Sequence, residues 1–484
     1  MGLKTGSEYR DSLADLDLEV YIHGERVDAV HDHPLVEPSL NALQETYELA
    51  HDPEYEDLAV ADSHVIDEPV NRFTHIHQSR EDLVAKSKMN RVLGRRTGTC
   101  FQRCVGMDAL NALSIVTYDV DRAAGTNYND RFREYLEYVQ FEDLVLGGAM
   151  TDVKGDRSKR PGEQTDPDMY LRVVEEREDG IVVRGAKAHQ TGCVNSHELV
   201  VMPTRQMRED EAEYAVSFAV PTDADGIRFI VGRNPNDHRQ INRETVDAGN
   251  VEYGPMEALI VFEDVFVPRE RVFLNGETAF SGDLVTAFSS YHRQSYACKS
   301  GVGDVLIGAA SCLAKANGVR DASHIESKLT EMNHLNETIF GCSLACAHEG
   351  QETDSGTQFV DTLLSNVCKL NVTRFPYRLT RSAIDIAGGL PTTMPSEYDY
   401  RNPETQADIE KYLRGVEDVS TEARLRLMRL VENLAQGTGA KAYLSESVHG
   451  AGSPMAQQLM IGALEDMDEK EAAARRIAHV EEEF

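Results

Sequence analysis

The strongest constraint on the fold is a change of hydrophobic period that occurs twice along the 484-residue chain. In residues 1–148, segments such as Leu40 to Ala50 repeat apolar residues at helical spacing. In residues 149–275, short β-branched runs replace that pattern, and Asp179-Gly180 separates two of them as a hairpin turn. The helical period returns in long stretches over residues 276–484. This order predicts a mainly α protein with a central β domain.

The order of helices, strands and helices is similar to that of acyl-CoA dehydrogenase-like flavoproteins. The similarity implies an N-terminal helical domain (1–148), a middle β-barrel (149–275) and a C-terminal helical bundle (276–484). A division into domains also fits the length, because single hydrophobic cores stop growing at roughly 250–300 residues.

The chain is strongly acidic, with 82 acidic against 49 basic residues and a formal net charge of −33. Such a surface repels phosphate backbones and anionic lipids, so we expect neither nucleic acid nor membrane as a partner. The start of the sequence has no apolar signal region, which predicts a cytoplasmic protein. The acidic excess fits either solvation in concentrated salt, as in halophiles, or an ordinary acidic cytosolic protein.

Eight cysteines are too few for a disulfide scaffold in a chain of this length. Cys100 and Cys104 are four apart, which on a helix advances roughly 400° and leaves both sulfurs on one face. Cys342 and Cys346 have the same spacing within an apolar helix. Taken alone, either pair is more typical of a core, because buried cysteine is common.

The surroundings distinguish the two pairs. Cys100 follows the basic stretch Gly94 to Thr99, in which cations and free amides favour thiolates, whereas Cys342 has no such setting. His292 and Cys298 add an imidazole and a thiol in a polar opening to a C-terminal helix. Cys100, Cys104, His292 and Cys298 are therefore the candidate metal ligands, and Cys342 and Cys346 are expected in the core.

Three longer motifs make a resemblance specific. The segments His292-Arg-Gln-Ser-Tyr296, Cys100-Phe-Gln-Arg-Cys-Val-Gly-Met107 and Lys187-Ala-His-Gln-Thr-Gly192 resemble motifs of the 4-hydroxybutyryl-CoA dehydratase family. That family lies within the wider 4-hydroxyphenylacetate hydroxylase superfamily, whose aromatic hydroxylases lack an iron–sulfur cluster. The similarity also includes the motifs Gly148 to Asp156, Asp385 to Leu390 and Glu446 to Pro454, and so spans nearly the whole chain.

The resemblance implies FAD, a [4Fe–4S] cluster, an acyl-CoA substrate and a homotetramer. Cys100, Cys104 and Cys298 would bind three irons, and His292 would bind the fourth more loosely, so that this iron acts as a Lewis acid. The residues expected to bind the flavin are Ala149, Met150, Thr151, Lys154, Gly155, Asp156, Lys187, Ala188, His189, Gln190, Thr191, Gly388 and Gly389. Thr191 would hydrogen-bond the ring near its reactive nitrogen.

One spacing departs from the family pattern. The family's histidine and cysteine are seven positions apart, whereas His292 and Cys298 are six apart. On a regular helix, six residues leave two side chains about 120° apart. Either the backbone between them is irregular and absorbs the missing residue, or cluster assembly or activity differs from that of the family. We expect the first, because all three thiols and the imidazole are present.

The implied reaction is the radical dehydration of 4-hydroxybutyryl-CoA to crotonyl-CoA, together with isomerisation of vinylacetyl-CoA. Removal of the C2 proton and transfer of one electron to the flavin would make the C3 proton acidic. His292 is assigned as base and iron ligand, and Lys299 as a source of positive charge. Candidates for proton delivery and substrate orientation are Glu446, Glu257 and Tyr296, with His449 as a secondary candidate.

Two other functions remain open. One is a cluster-free, FAD-dependent aromatic monooxygenase of the 4-hydroxyphenylacetate type. The cysteines would then have no function, and the presence of all four candidate ligands would be a coincidence. An inactive flavoprotein fold retained as an assembly subunit would have no need of His292 and Glu446.

Overall fold

The N-terminal part of the chain consists of helices and short strands. The structure, a computed structural model, describes residues 2–233 and 246–482. Its first elements are α1 (Gly6–Leu13), β1 (Val20–Ile22), β2 (Glu25–Val27), α2 (Glu37–Glu48), α3 (Glu56–Ala59), β3 (Val60–Asp62), β4 (Pro69–Asn71), α4 (Arg80–Thr97), α5 (Cys104–Ala124) and α6 (Tyr128–Phe141). Ser79 caps the start of α4, and Gly98, in the left-handed conformation with φ 61°, ends it.

Strands dominate the middle of the chain. They are β5 (Leu146–Ala149), β6 (Arg172–Arg177), β7 (Gly180–Thr191), β8 (Glu198–Val201), β9 (Val216–Pro221), β10 (Ile227–Val231), β11 (Glu257–Pro268) and β12 (Val272–Asn275). They form a six-stranded sheet of order β2-β1-β10-β11-β7-β6 and a four-stranded sheet of order β12-β9-β8-β5. The predicted hairpin is confirmed, since β6 and β7 are antiparallel around Gly180.

The predicted middle β-barrel is wrong. Among the described residues, both sheets are open, because the edge strands β2 and β6 of the larger sheet do not pair with each other. Two of its strands, β1 and β2, come from the N-terminal segment, and β1 runs parallel to β10. Alternating hydrophobicity marks a strand with one buried face and is the same in a barrel and in packed open sheets, so the pattern could not separate them. The domain boundaries remain predictions.

Helices again dominate the remainder. They are α7 (Thr278–Ser295), α8 (Cys298–Ala316), α9 (Ser323–His348), α10 (Thr362–Val372), α11 (Phe375–Ala387), α12 (Leu390–Thr393), α13 (Glu397–Arg401), α14 (Gln406–Tyr412), α15 (Thr421–Ala435), α16 (Thr438–Ala440), α17 (Glu446–His449), α18 (Pro454–Leu464) and α19 (Met467–Ala478). The short strands β13 (Gln351–Glu352) and β14 (Gln358–Phe359) lie between α9 and α10. A π-helical turn, Lys441–Ser445, leads into α17.

Helices α4 and α8 pack at backbone distance, which brings two distant parts of the sequence together. A Cβ atom on Gly94 would overlap the carbonyl oxygen of Cys298, and one on Gly301 would overlap the carbonyl oxygen of Arg91. Glycine at both positions therefore permits the start of α8 to lie against the end of α4.

One helical stretch in the described residues, Thr278–Ala316, is long and apolar enough to cross a membrane by length and composition alone. Its most apolar window is 67% buried inside the protein, as expected for core helices. It comprises α7 and α8, which contact α4, α5, α9, α10, α11 and α15.

Candidate active site

Cys100 lies in the loop between α4 and α5, and Cys104 is the first residue of α5. The two are therefore not on one helix, contrary to the argument from helical spacing. Gly98 ends α4, and Gln102 has a φ of 68°, which interrupts any right-handed helix. The buried side chain of Gln102 fixes this turn, because its amide donates to the Ser39 carbonyl at 3.0 Å and its oxygen accepts from the Ser39 hydroxyl at 2.8 Å.

The backbone between His292 and Cys298 is irregular, as the short spacing predicts. Helix α7 ends at Ser295 and α8 begins at Cys298. Ala297, Lys299 and Ser300 donate their backbone N–H groups to carbonyls three residues earlier, at 3.0 to 3.1 Å. Such 3₁₀ turns rotate each residue by about 120° instead of about 100°, which recovers part of the rotation of the missing residue.

The three candidate thiols are buried and lie close enough to influence one another. Burial raises the pKa of Cys100 and Cys104 well above the ordinary range and that of Cys298 to about 11. For both Cys100 and Cys104, negative charge on Cys298 raises the pKa further. Cys104 and Cys298 each begin a helix, where the N-terminal partial charge favours a thiolate, but burial outweighs that effect. A bound cation would supply the missing stabilisation.

His292 is oriented by a buried ion pair. Its Nδ1 lies 2.8 Å from Oδ2 of Asp108, whose Oδ1 lies 2.7 Å from the Lys86 ammonium. Burial alone would raise the pKa of Asp108, but Lys86 and His292 more than offset it, and the pKa is lowered. With the Nδ1 proton donated to Asp108, Nε2 is the nitrogen free to bind a metal or accept a proton. Potential ligand atoms of Cys104, Asp108 and His292 lie within 4.8 Å of one another.

Tyr296, Lys299 and Glu446 form a second group beside the thiols. The Lys299 ammonium is buried, donates to Glu446 Oε2 at 2.9 Å and donates to the Ala442 carbonyl at 2.7 Å. The Tyr296 hydroxyl donates to the Glu446 backbone carbonyl at 3.3 Å. Burial would lower the pKa of Lys299, but the Glu446 carboxylate raises it overall. The ion pair of Lys299 with Glu446 and the phenol of Tyr296 are thus held in place beside the thiols.

Glu257 connects the β sheets to the same region. It begins β11, pairs in register with Thr191 of β7 and forms an ion pair with Lys441 of the π-helical turn. Burial raises the pKa of Glu257, and Lys441 only partly offsets this. The pairing places Glu257 next to the loop expected to face the flavin.

The predicted flavin residues of the β sheets form one connected group. The buried Lys187 ammonium lies 2.8 Å from Asp152 and donates to the Met150 and Met202 carbonyls at 3.0 and 2.8 Å. Ala188 N–H donates to the Thr151 carbonyl at 2.7 Å. Lys154 and His189 have positive φ values of 70° and 60°, so the chain turns sharply at both places. Ala149 is buried in β5, Gln190 is buried in β7, and Gly155 and Asp156 continue the turn after Lys154.

Several sequence-derived candidates lie apart from this group. Gly388 and Gly389 are exposed at the end of α11, which packs on α8, α9 and α15. His449 is exposed at the end of α17. Cys346 is fully buried in α9 and donates its thiol to the Cys342 carbonyl at 3.0 Å, as expected for a core residue. Cys342 is only half-buried, so the expectation that it lies in the core is wrong.

Sequence reasoning missed Asp108, Lys86, Lys441, Arg293 and Lys369. Only Asp108 had a usable signal, because it follows Cys104 by one helical turn and so shares a face of α5 with it. Lys86 and Lys369 occur in amphipathic helices, where a lysine is usually exposed.

A surface cavity of about 930 Å³ lies at the start of α7. It is lined by Arg160, Arg205, Gln206, Met207, Arg208, Glu209, Asp210, Thr278 and Ala279. Arg160 is paired with Glu211, whereas Arg205 and Arg208 form no ion pair with any described residue. Burial lowers the pKa of Lys154, and the guanidinium groups of Arg157 and Arg205 lower it further. The cavity therefore adjoins the predicted flavin loop.

The arrangement of helical segments around two open sheets is a fold with known members. The oxygenase component of 4-hydroxyphenylacetate 3-monooxygenase, solved in complex with FAD, shares it with a TM-score of 0.86 at 22% identity over 98% of each chain. The chain belongs to the 4-hydroxyphenylacetate 3-hydroxylase family, whose N-terminal and C-terminal models match residues 5–274 and 281–479.

Within this family, two similar proteins are dehydratases. The chain is 50% identical to the 4-hydroxybutyryl-CoA dehydratase/vinylacetyl-CoA-Δ-isomerase of Clostridium aminobutyricum, over 99% of this chain and 100% of the relative. It is 49% identical, with a TM-score of 0.97, to the solved structure of an oxygen-tolerant archaeal 4-hydroxybutyryl-CoA dehydratase from N. maritimus, over 100% of this chain and 96% of that one. The resemblance drawn from the sequence motifs is confirmed.

Proposed function

We propose that the protein is a lyase that dehydrates 4-hydroxybutyryl-CoA to crotonyl-CoA and isomerises vinylacetyl-CoA. The observation that carries the proposal is the position of Cys100, Cys104, Cys298 and His292 in one buried region of a chain 50% identical to such an enzyme. These residues come from segments nearly two hundred positions apart, and nothing in ordinary core packing requires thiols and an imidazole to meet there.

The donor set fits the two cofactors proposed for this enzyme, FAD and a [4Fe–4S] cluster. A [4Fe–4S] cluster is usually bound by four cysteine thiolates. Here three thiols are present, and His292 Nε2 offers a fourth, nitrogen ligand. The loops around Lys187 and Thr151 supply hydroxyl, amide and ammonium groups suited to a flavin. When bound, the flavin supplies one-electron chemistry for a radical dehydration and the cluster supplies a Lewis-acidic iron.

The protein's own groups would divide the proton transfers among them. We infer that His292 Nε2 would accept the C2 proton when it is not bound to iron, because Asp108 holds Nδ1 and fixes the ring. Glu446 is held by Lys299, and this ion pair, with the Tyr296 hydroxyl, would orient the thioester and the C4 hydroxyl. Glu257 would carry a second proton, since burial favours its protonated form.

Asp108→Asn is expected to lower the free energy of unfolding by about 3–5 kcal/mol, because Lys86 would remain as a buried, unpaired cation. Both side chains of this pair are 0% exposed. Urea denaturation followed by circular dichroism would measure the loss. The double variant Lys86→Met with Asp108→Asn should recover most of it. If the double variant is no more stable than Asp108→Asn, the ion pair does not have the energetic role assigned here.

The acyl-CoA substrate would need a site for its phosphates, and the cavity beside Arg205 and Arg208 offers one. Replacing both arginines by alanine is expected to raise KM for the CoA thioester by about tenfold or more with kcat unchanged, since a hydrogen bond to a charged group contributes about 1.5–3 kcal/mol. The corresponding acylpantetheine, which lacks the nucleotide, should show no such change. Arg26→Ala removes an exposed arginine from β2 as a control.

A homotetramer is proposed as the working assembly. Helices α18 and α19 expose Met455, Leu459, Leu464, Met467 and Ile477, a set of apolar side chains that a second copy would cover. We expect light scattering to give four times the protomer mass of 53.8 kDa, and Leu459→Glu to reduce it. A full-length protein that remains monomeric would contradict the proposal.

We also propose a cytoplasmic location and adaptation to high salt, on the basis of the acidic composition.

The decisive experiment is an anaerobic assay. Protein purified without oxygen should contain about four irons and four acid-labile sulfides per protomer and FAD, and should convert 4-hydroxybutyryl-CoA to crotonyl-CoA. The family also contains aromatic monooxygenases, which makes a cluster-free hydroxylase the second candidate. Near-zero iron together with hydroxylation of 4-hydroxyphenylacetate would establish that candidate instead. FAD binding without either activity would favour the inactive assembly subunit.

A further inference from the structure

Lys369 is the one buried lysine in the described residues whose ammonium forms no ion pair with a carboxylate. Lys86, Lys187 and Lys299 are equally buried, and each pairs with an aspartate or a glutamate. Lys369, on α10, is 0% exposed, and its ammonium donates instead to the backbone carbonyl of Ser447 at 2.6 Å. A buried cation without a counter-ion opposes folding, so its presence needs a reason other than stability.

The position of Lys369 suggests that reason. Its ammonium lies 4.3 Å from the centre of the Tyr296 ring, and that of Lys299 lies 5.4 Å from the same ring. Tyr296 thus carries two cation–π contacts, which are strong when desolvated. Its hydroxyl reaches the Glu446 carbonyl only because residue 450 is glycine, since a Cβ there would overlap the hydroxyl oxygen.

Lys369 also holds the segment that carries Glu446. Ser447 follows Glu446 in α17, so one ammonium group contacts both the phenol ring and the helix that the phenol hydroxyl contacts. The charged groups that face Lys369 are Lys299 of α8, Arg293 of α7 and Glu446 of α17, together with the Cys368 thiol of α10. Positive charge therefore exceeds negative charge around the Lys369 ammonium.

We propose that Lys369 is a positioning residue that fixes the Tyr296 ring against the Glu446 helix. This inference rests on the proposed function, in which Tyr296 and Glu446 orient the substrate. Its chemistry is that of a fixed cation, and Lys369 itself takes no proton from the substrate.

Lys369→Met, a neutral replacement of similar length, tests the proposal. We expect kcat for crotonyl-CoA formation to fall by tenfold or more with KM changed by less than threefold. In a Tyr296→Phe background the same replacement should cost less than threefold further, because the orientation of the ring matters only while its hydroxyl is present to contact the Glu446 helix. Lys315→Met, which removes an exposed lysine from α8, is the charge-matched control. Unchanged kcat in Lys369→Met, or losses that multiply in the double variant, would overturn the proposal.

Thermal melting separates positioning from a structural role. Burial, with the charges of Lys299 and Arg293, lowers the pKa of Lys369 to about 7, whereas the same lysine in an unfolded chain has an ordinary, higher pKa. Wild-type protein therefore loses stability as pH falls from about 10 towards 7, and the full penalty applies below 7. Lys369→Met should melt higher than wild type at pH 6, with a smaller difference at pH 9.

A lower melting temperature in Lys369→Met at pH 6 would show a structural role and overturn the inference. This measurement needs no substrate. If the wild-type enzyme turns over no thioester, the proposed function fails, while the sign of the melting difference still decides the inference about Lys369.

Discussion

Replacing His292 with alanine is expected to abolish dehydration while FAD remains bound. His292 Nε2 is the ring nitrogen left free by the Asp108 contact, and no other imidazole in the described residues shares the region of the three thiols. Loss of a general base costs about 10²–10⁴-fold, and loss of an iron ligand would add to that. Crotonyl-CoA formation would be followed anaerobically, and FAD content would be measured by absorbance.

His334→Ala is the matched control for this variant, because His334 is exposed on α9. It should retain the wild-type rate and FAD content. Turnover by His292→Ala above about a tenth of the wild-type rate would refute the role assigned to His292. Loss of FAD in that variant would instead indicate that the replacement disturbs the flavin site, and the variant His292→Gln would then be compared.

The second large effect is expected on the metal content. Cys104→Ser should reduce iron and acid-labile sulfide to near zero, because a serine hydroxyl is a much poorer ligand for iron than a thiolate. Dehydration should disappear with the cluster. Iron and sulfide per protomer, measured after anaerobic purification, decide the result.

Cys342→Ser provides a control with the same sequence spacing. Cys342 is four residues from Cys346 on α9, as Cys104 is from Cys100. It is only half-buried and lies outside the group that Cys104, Asp108 and His292 form. We expect full iron and sulfide in this variant. Equal losses in both variants would mean that the Cys100 and Cys104 pair has no special role.

Local sequence patterns predicted the secondary structure well, because hydrophobic period depends on neighbouring residues only. The helix α2 follows from the helical spacing of apolar residues, and the hairpin of β6 and β7 follows from its turn. The sequence did not show whether the sheet is open or closed into a barrel. The neighbours of β10 and β11 depend on packing between distant segments of the chain. No local pattern marks β1 as a neighbour of β10.

The candidate site was likewise predicted only in part from the sequence. Its ligand residues were found because cysteines and histidines are rare and their motifs resemble a known family. The groups that hold them, such as Lys86 and Lys369, are ordinary helix residues whose burial depends on tertiary packing. The helical geometry assumed for Cys100 and Cys104 was wrong, since backbone strain at Gln102 is set by its bonds to Ser39, more than sixty residues away.

The backbone contact of α4 with α8 also limits how this site could be engineered. Because Gly94 and Gly301 allow the two helices to touch, a short loop containing Cys100 and Cys104 would not reproduce the site in another scaffold. The smallest transplantable unit is the two pairs of consecutive helices α4–α5 and α7–α8 with the contacts between the pairs intact. In a library of random variants, both glycines should be as intolerant of replacement as the cysteines themselves.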